Sequence, residues 1–220
     1  MRQAERIPNR FTRQLDIIKP GRLKFHITVI GAGAIGSAAV VTLAKMGCSN
    51  ISVWDSDTLE RVNIPNQLCK ISEIGNPKVD ALARLTKELT GIAITPVNNR
   101  YRGQKLRDVV ISTVDNMNAR INLWKRAKRR KEITLLIDAR MGAEFARLYA
   151  VHPKEPDEVN FYENNLYEDA ENLSCSGRSI IYCPTVVAGF IALLIKQYAL
   201  NRPMPKEVLI DLPNLVLQSQ

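Results

Sequence analysis

Gly31, Gly33 and Gly36 form a Gly-x-Gly-x-x-Gly run, and Asp55 follows 24 residues after the first glycine. The first glycine permits a tight turn, the second lets the backbone approach a phosphate, and the third allows a helix to pack closely on a strand. A carboxylate placed like Asp55 can accept hydrogen bonds from ribose hydroxyls. The four cysteines, Cys48, Cys69, Cys175 and Cys183, form no Cys-x-x-Cys pair, and the chain has only two histidines. No zinc is expected from that inventory. The chemistry these residues suggest is nucleotide binding. A glycine turn used only for packing is the alternative.

That chemistry needs a strand before the glycines, a helix after them and a second strand ending at the acid. Phe25–Ile30 reads as a buried strand, Ser37–Met46 as an apolar helix stopped by Gly47, and Ile51–Trp54 as a strand ending at Asp55. This is a βαβ unit. The alternation continues with a helix over 77–89, strands over 92–97 and 106–112, a helix over 118–130, a strand over 133–137 and a further strand over 145–151. Segment 153–178 is acidic and poor in aliphatic residues, and it reads as a long surface loop of the kind that is usually functional. A buried helix over 184–198 and a strand over 208–212 follow. The fold class expected is α/β, a doubly wound, mostly parallel sheet of the Rossmann-like nucleotide-binding kind. The expected organisation is one domain over 1–220, with a basic N-terminal extension (1–24) and the long acidic crossover loop (153–178).

Composition narrows the setting. The 220 residues are 45% hydrophobic and 24% charged, values that exclude a wholly disordered chain. The net charge of +9 suggests an anionic partner somewhere. Unpaired cysteines and the lack of a secretory pattern lead us to expect a cytoplasmic protein with free thiols. Two apolar stretches, 27–44 and 180–195, are interrupted by glycines or a proline and read as core, so no membrane association is expected.

Four further features accompany the glycine turn. Phe11-Thr-Arg13-Gln14 precedes the first strand. Asp55-x-Asp57 is followed by Asn63-Ile-Pro-Asn66-Gln67. Gly75-Asn-Pro-Lys78 opens a helix, and Thr113-Val-Asp115-Asn116 ends a strand. In this order the five resemble the ATP-dependent adenylating enzymes of the ThiF/MoeB/HesA type, bacterial relatives of ubiquitin-activating enzymes, over residues 9–200. The resemblance implies ATP and Mg²⁺ as cofactors and adenylation of the C-terminal carboxylate of a ubiquitin-like or sulfur-carrier protein. It implies that Gly31, Gly33 and Gly36 line the nucleotide loop and that Asp55 holds the ribose. Lys78 would stabilise the phosphates, Asp115 would bind Mg²⁺, and Asn63 and Gln67 would contact the triphosphate. Arg13 matches an arginine that reaches the phosphates from the partner subunit, so the resemblance also implies a homodimer. Cys175 lies where some relatives carry an acceptor cysteine, and a thiolate there, assisted by Arg178, could take the acyl group.

Other readings of these residues stand beside these. Lys78 could be an exposed charge at a helix start, Asp115 a helix cap, Arg13 a solvated arginine and Cys175 a small residue flanking a loop. One departure matters: the family usually has Asn-x-x-Arg-Gln, and here Asn66 takes the arginine's place, leaving Arg61, Lys70, Arg100 or Arg13 to supply the charge. An NAD(P)-dependent oxidoreductase would explain Gly31–Gly36 and Asp55 but not Lys78, Asp115 or Arg13. A non-catalytic nucleotide-binding homologue would be consistent with Asn66. Adenylation of a small molecule, peptide or tRNA is a third alternative. The basic run Trp124–Lys131 reads first as a solvated helix face and second as a docking surface for an acidic carrier. No nucleic-acid partner is expected, because no recognition module accompanies the run.

Overall fold

The computed structural model describes residues 9–166 and 179–220. Its centre is β1 (Ile27–Ile30), buried at all four positions. Burial on both faces suits its three aliphatic residues, and the fourth, Thr28, has its hydroxyl met by that of Ser52 on the neighbouring strand. The chain continues through α1 (Ala34–Met46), β2 (Ile51–Asp55), α2 (Lys78–Thr90), β3 (Thr95–Asn98), β4 (Asp108–Ser112) and α3 (Met117–Ala127). It then forms β5 (Ile133–Gly142), β6 (Phe145–Val151), α4 (Pro156–Asn164), α5 (Tyr182–Ala199), β7 (Glu207–Asp211) and β8 (Val216–Ser219). The eight strands form one sheet in the order β3-β2-β1-β4-β5-β6-β7-β8. Strands β3 to β5 in that order are parallel, and β6, β7 and β8 add antiparallel pairs at one side.

The core lies in two layers. Helices α1, α2 and α5 pack on one face of the sheet with Val29, Ile111, Ile137 and Leu148. Helices α3 and α4 cover the other face, where Trp124 and Tyr162 join Val110, Leu136 and Tyr149. Helix α5 has the length and apolarity of a membrane span, but Val187, Ile191 and Ile195 on one side are fully buried in the core shared with α1. The chain leaves β1 toward β2 on one side, then returns from β3 to β4 on the other. This reversal opens a crevice beyond the carboxyl ends of β1 and β4, the usual ligand position in an open α/β sheet.

Two local features near the site differ from the sequence reading. Helix α1 starts at Ala34 rather than Ser37, so Gly33 is its N-cap and Gly36 lies in its first turn. It ends as expected, at Gly47 in the left-handed conformation (φ +105°), with Gly47 and Cys48 N–H groups bonded back to Ala44 and Leu43. Segment 153–178 is not irregular throughout. Pro156–Asn164 is helical, with Pro at its start and Asp157 and Glu158 in the first turn, where the helix dipole favours acids. Residues 167–178, including Cys175, lie outside the described residues. Of the N-terminal extension, residues 9–24 form two short 3-10 turns anchored by buried Phe11, Ile18 and Leu23.

Candidate functional site

Parallel register places Ile30 level with Trp54 on one side and Ser112 on the other. The residues that follow these strand ends therefore meet at one edge of the sheet. Gly31 turns there with φ +106°, and a Cβ on it would lie 2.7 Å from the Thr113 carbonyl oxygen. A Cβ on Gly36 would collide with the Gly31 carbonyl, so both positions exclude larger residues. Gly33 is different: a Cβ there would meet no atom within 4 Å. Its open side, next to the N–H groups of Ala34, Ile35 and Gly36 that helix geometry leaves without intrahelical acceptors, forms a cradle for an anion.

Asp55 builds this cradle before any ligand arrives. Its Oδ2 accepts the Ala32 N–H at 2.7 Å and its Oδ1 accepts the Asp57 N–H at 2.8 Å. Each carboxylate oxygen keeps a second acceptor site, of the kind that can take a sugar hydroxyl. Asp57 is held in turn: its carbonyl accepts the Lys78 N–H at 2.9 Å, and its carboxylate lies 3.2 Å from Lys78 Nζ. The Lys78 side chain is only 12% exposed and points along the cleft wall rather than into solvent.

Across the cleft, Asn116 caps α3 by accepting the Ala119 N–H at 2.8 Å. The neighbouring Asp115 is therefore not the cap. Its exposed carboxylate accepts the Asn116 Nδ2–H at 3.1 Å and lines the cleft. The cleft measures about 660 Å³ and gathers Gly31, Gly33, Asp55, Lys78 and Asp115. It also takes in a wall that sequence reading did not assemble, made of Trp54, Tyr101, Arg100, Arg102, Asn122 and Arg126. Trp54 and Tyr101 meet edge to face at 6.2 Å, an apolar surface suited to a base. Burial pushes the Tyr101 phenol upward against the opposing influence of Arg130 and Arg126, which keeps it a hydrogen-bond donor.

The remaining candidates lie elsewhere. Asn63 is engaged in its own turn, accepting the Glu60 N–H at 2.9 Å. Gln67 is buried, and neither residue is part of the cleft lining. Asn66 is 8% exposed, with its Oδ1 buried and without a hydrogen-bond partner among the described residues. Of the cations that could replace the missing arginine, Arg100 lines the cleft, with Nε 3.3 Å from Ser56 Oγ. Lys70 is paired with Glu88 instead. Arg13 is exposed beside the far end of α1, where the next residue, Gln14, donates to the Met46 carbonyl at 2.8 Å. A helix of 13 residues is about 20 Å long. Arg13 is thus remote from the cleft of its own chain.

The basic run on α3 divides. Arg126 donates to the Arg102 carbonyl at 2.5 Å and Arg130 to the Gly103 carbonyl at 2.6 Å, fastening the loop after β3 that carries the cleft wall. Lys128 pairs with Glu163 on α4 at 2.6 Å, while Lys125, Arg129 and Lys131 are exposed. Much of the run is thus structural rather than a free face.

Fold and cleft together define a doubly wound α/β protein with a glycine-lined anion cradle at the switch point and both a cation and a carboxylate beside it. The chain belongs to the ThiF family, whose pattern matches residues 13–215. The molybdopterin-synthase adenylyltransferase of Escherichia coli K12 is 34% identical over 109 residues, which are 44% of this chain and 43% of that protein. The sulfur carrier protein ThiS adenylyltransferase of the same organism is 30% identical over 125 residues, 50% of each. This chain thus spans half or less of these relatives. Among solved structures, E. coli MccB with AMPCPP and MccA matches with a TM-score of 0.76 at 18% identity, over 96% of this chain and 71% of that one, a likeness of fold.

Proposed function

We propose that this protein adenylates the C-terminal carboxylate of a ubiquitin-like or sulfur-carrier protein, using ATP and Mg²⁺. The observation that carries this reading is the convergence in one cleft of the glycine cradle, Asp55, Lys78 and Asp115. An oxidoreductase would need the first two but gives no role to the others. The open side of Gly33 and the exposed Asp115 carboxylate fit a phosphate chain and a hard cation respectively. A carboxylate oxygen of the carrier attacks the α-phosphorus, the bond to the bridging oxygen of the β-phosphate breaks, and pyrophosphate leaves. Bound Mg²⁺ supplies charge neutralisation on the phosphates.

The chain's own residues position and polarise. The α1 N-terminus and the cradle orient the phosphates, Asp55 orients the ribose, and Trp54 with Tyr101 receive the base. Lys78 exchanges its pairing with Asp57 for a phosphate oxygen, and Arg100 adds the charge that Asn66 lacks. Arg13, remote from its own cleft, serves the cleft of the second subunit in a homodimer. In a following step the Cys175 thiolate attacks the acyl carbonyl, forming a thioester as AMP departs. A cytoplasmic setting suits this thiol chemistry.

The test is ATP–pyrophosphate exchange with Mg²⁺ and carrier proteins ending in Gly-Gly, comparing wild type with Asp115→Ala. Exchange that requires both the carrier and Asp115 supports the reading. Nucleotide binding without exchange for any carrier would instead favour a non-catalytic homologue.

A further inference from the structure

Asp138 closes the parallel part of β5, level with Ser112 at the end of β4. Its side chain is fully buried, and three groups hold it. Arg120 on α3 pairs with Oδ1. Arg140 Nε donates to Oδ2 at 2.8 Å, and the Tyr162 hydroxyl on α4 donates to the same oxygen at 3.0 Å. Each arginine then reaches one step further. Arg120 Nη2 donates at 2.6 Å to the carbonyl of Val114, the residue directly before Asp115. Arg140 Nη1 donates at 3.0 Å to the carbonyl of Asn165, one residue past α4.

A buried carboxylate between two guanidiniums is not a cheap way to stabilise a core, since an apolar layer of similar volume is often as stable. Here the cluster is not even fully satisfied: Arg120 Nε and Arg140 Nη2 are buried without hydrogen-bond partners among the described residues. Its placement is more informative. It joins the Asp115 rim of the cleft to the end of α4, yet Arg120, Asp138, Arg140 and Tyr162 are all absent from the cleft lining. Any influence on a ligand must pass through the backbone. Arg120 also belongs to the first turns of α3, with its N–H bonded to the Asn116 carbonyl, so fixing its side chain fixes both the cap and the residue before it. Such bonds are stiff because the surroundings are of low dielectric.

We propose that the Asp138 cluster is a positioning device, in which Arg120, held by Asp138, which the Tyr162 hydroxyl bonds in turn, sets the Val114 carbonyl and hence the Asp115 carboxylate, coupling the end of α4 to the metal-binding edge of the cleft. The proposal rests on the reading of the cleft as a Mg²⁺–nucleotide site. Arg120, Asp138 and Tyr162 are positioning residues in this scheme, and the reacting groups are elsewhere.

Tyr162→Phe is the most selective test. It removes one bond to Asp138 but keeps the ring packed on Trp124 at 4.9 Å and on Tyr149 at 5.4 Å. Arg120→Lys keeps the charge but loses the fork that spans Asp138 and Val114. If that variant fails to fold, Tyr162→Phe decides alone. Glu163→Gln is the comparison, since it disturbs α4 one residue away at a carboxylate that pairs with Lys128 and accepts the Trp124 indole N–H but makes no bond to Asp138, Arg120 or Arg140. Two quantities are read: hydrogen exchange of amides 114–119, and calorimetric binding of a non-hydrolysable ATP analogue with and without Mg²⁺. Tyr162→Phe should speed exchange in that segment while leaving β1 and β2 amides unchanged. It should weaken binding by about tenfold only when Mg²⁺ is present, as supporting partners of a ligand typically do. Unchanged exchange at 114–119, acceleration spread over the whole sheet, or an equal effect from Glu163→Gln would overturn the proposal. A wild type that binds no analogue would sink the adenylation reading, and the exchange measurement would still decide the role of the cluster.

Discussion

Replacing Asp55 by Asn tests the nucleotide turn with almost no change of shape. Both Asp55 oxygens accept backbone N–H groups, from Ala32 at 2.7 Å and from Asp57 at 2.8 Å. An amide has one oxygen and one NH₂, so either rotamer sets a donor against a donor at one of these positions. A hydrogen bond to a charged group contributes about 1.5–3 kcal/mol, and the half-buried setting lets water take up part of the loss. The surviving bond also falls to neutral strength. The sum is about 2 kcal/mol of lost stability, or a melting temperature lower by about 4–8 °C for a domain of this size. Urea and thermal unfolding of Asp55→Asn, beside Asp115→Asn as a surface comparison expected within about 0.5 kcal/mol of wild type, measure it. Nucleotide affinity should fall with Asp55→Asn as well, because the cradle loosens. An Asp55→Asn protein as stable as wild type would refute the claim that this carboxylate holds the turn.

Three other outcomes follow from the same geometry. Arg100→Ala should weaken binding of a Mg²⁺–ATP analogue by about tenfold, the loss of one charge-assisted contact, whereas Lys70→Ala should leave calorimetric affinity unchanged. Asp138 titrates below the ordinary carboxylate value: burial pushes it up, but Arg120 and Arg140 outweigh that. Its contribution is therefore complete above the unfolded value of about 3.9 and is lost as pH falls through the lower folded value. Asp138→Asn should cost about 3–5 kcal/mol at neutral pH by stranding two guanidiniums and should flatten the acid limb of stability, as read by urea unfolding between about pH 5 and pH 2.5. Finally, inactive Arg13→Ala and Lys78→Ala proteins, unfolded and refolded together, should recover about a quarter of wild-type exchange, because in the proposed homodimer each mixed dimer has one complete site. No recovery on mixing would place Arg13 outside the partner's cleft.

The parts of the site visible in the sequence are those built by neighbours along the chain. Gly31 to Gly36 sit in a strand–turn–helix whose periodicity shows in the residues themselves, and Asp55 closes the next strand. Lys78 and Asp115 each follow a short motif at an element boundary. The second use of Asp55, holding Ala32 and Asp57, depends on side-chain geometry that no spacing expresses. The Arg100–Arg102 wall is fastened by Arg126 and Arg130 across 24 and 27 residues, so it emerges only from tertiary hydrogen bonds. Helix α4 was hidden by its acids and by having a single fully buried residue, Tyr162, although Pro156 and the acidic first turn were proper helix-start signals. The buried partners of Asp138 were dispersed over β5, α3 and α4, where Arg120 reads as one more exposed cation of a basic helix.

The most direct test of the central claim follows an oxygen atom. A carrier protein with its C-terminal carboxylate labelled with ¹⁸O is incubated with this protein, ATP and Mg²⁺, and the acyl group is then released to a thiol or hydroxylamine. If the carboxylate attacks the α-phosphorus, the bridging oxygen stays on phosphorus when the acyl bond breaks, and the AMP formed carries one ¹⁸O. Label in inorganic phosphate with ADP as the nucleotide product, or AMP free of label, would contradict adenylation in this cleft.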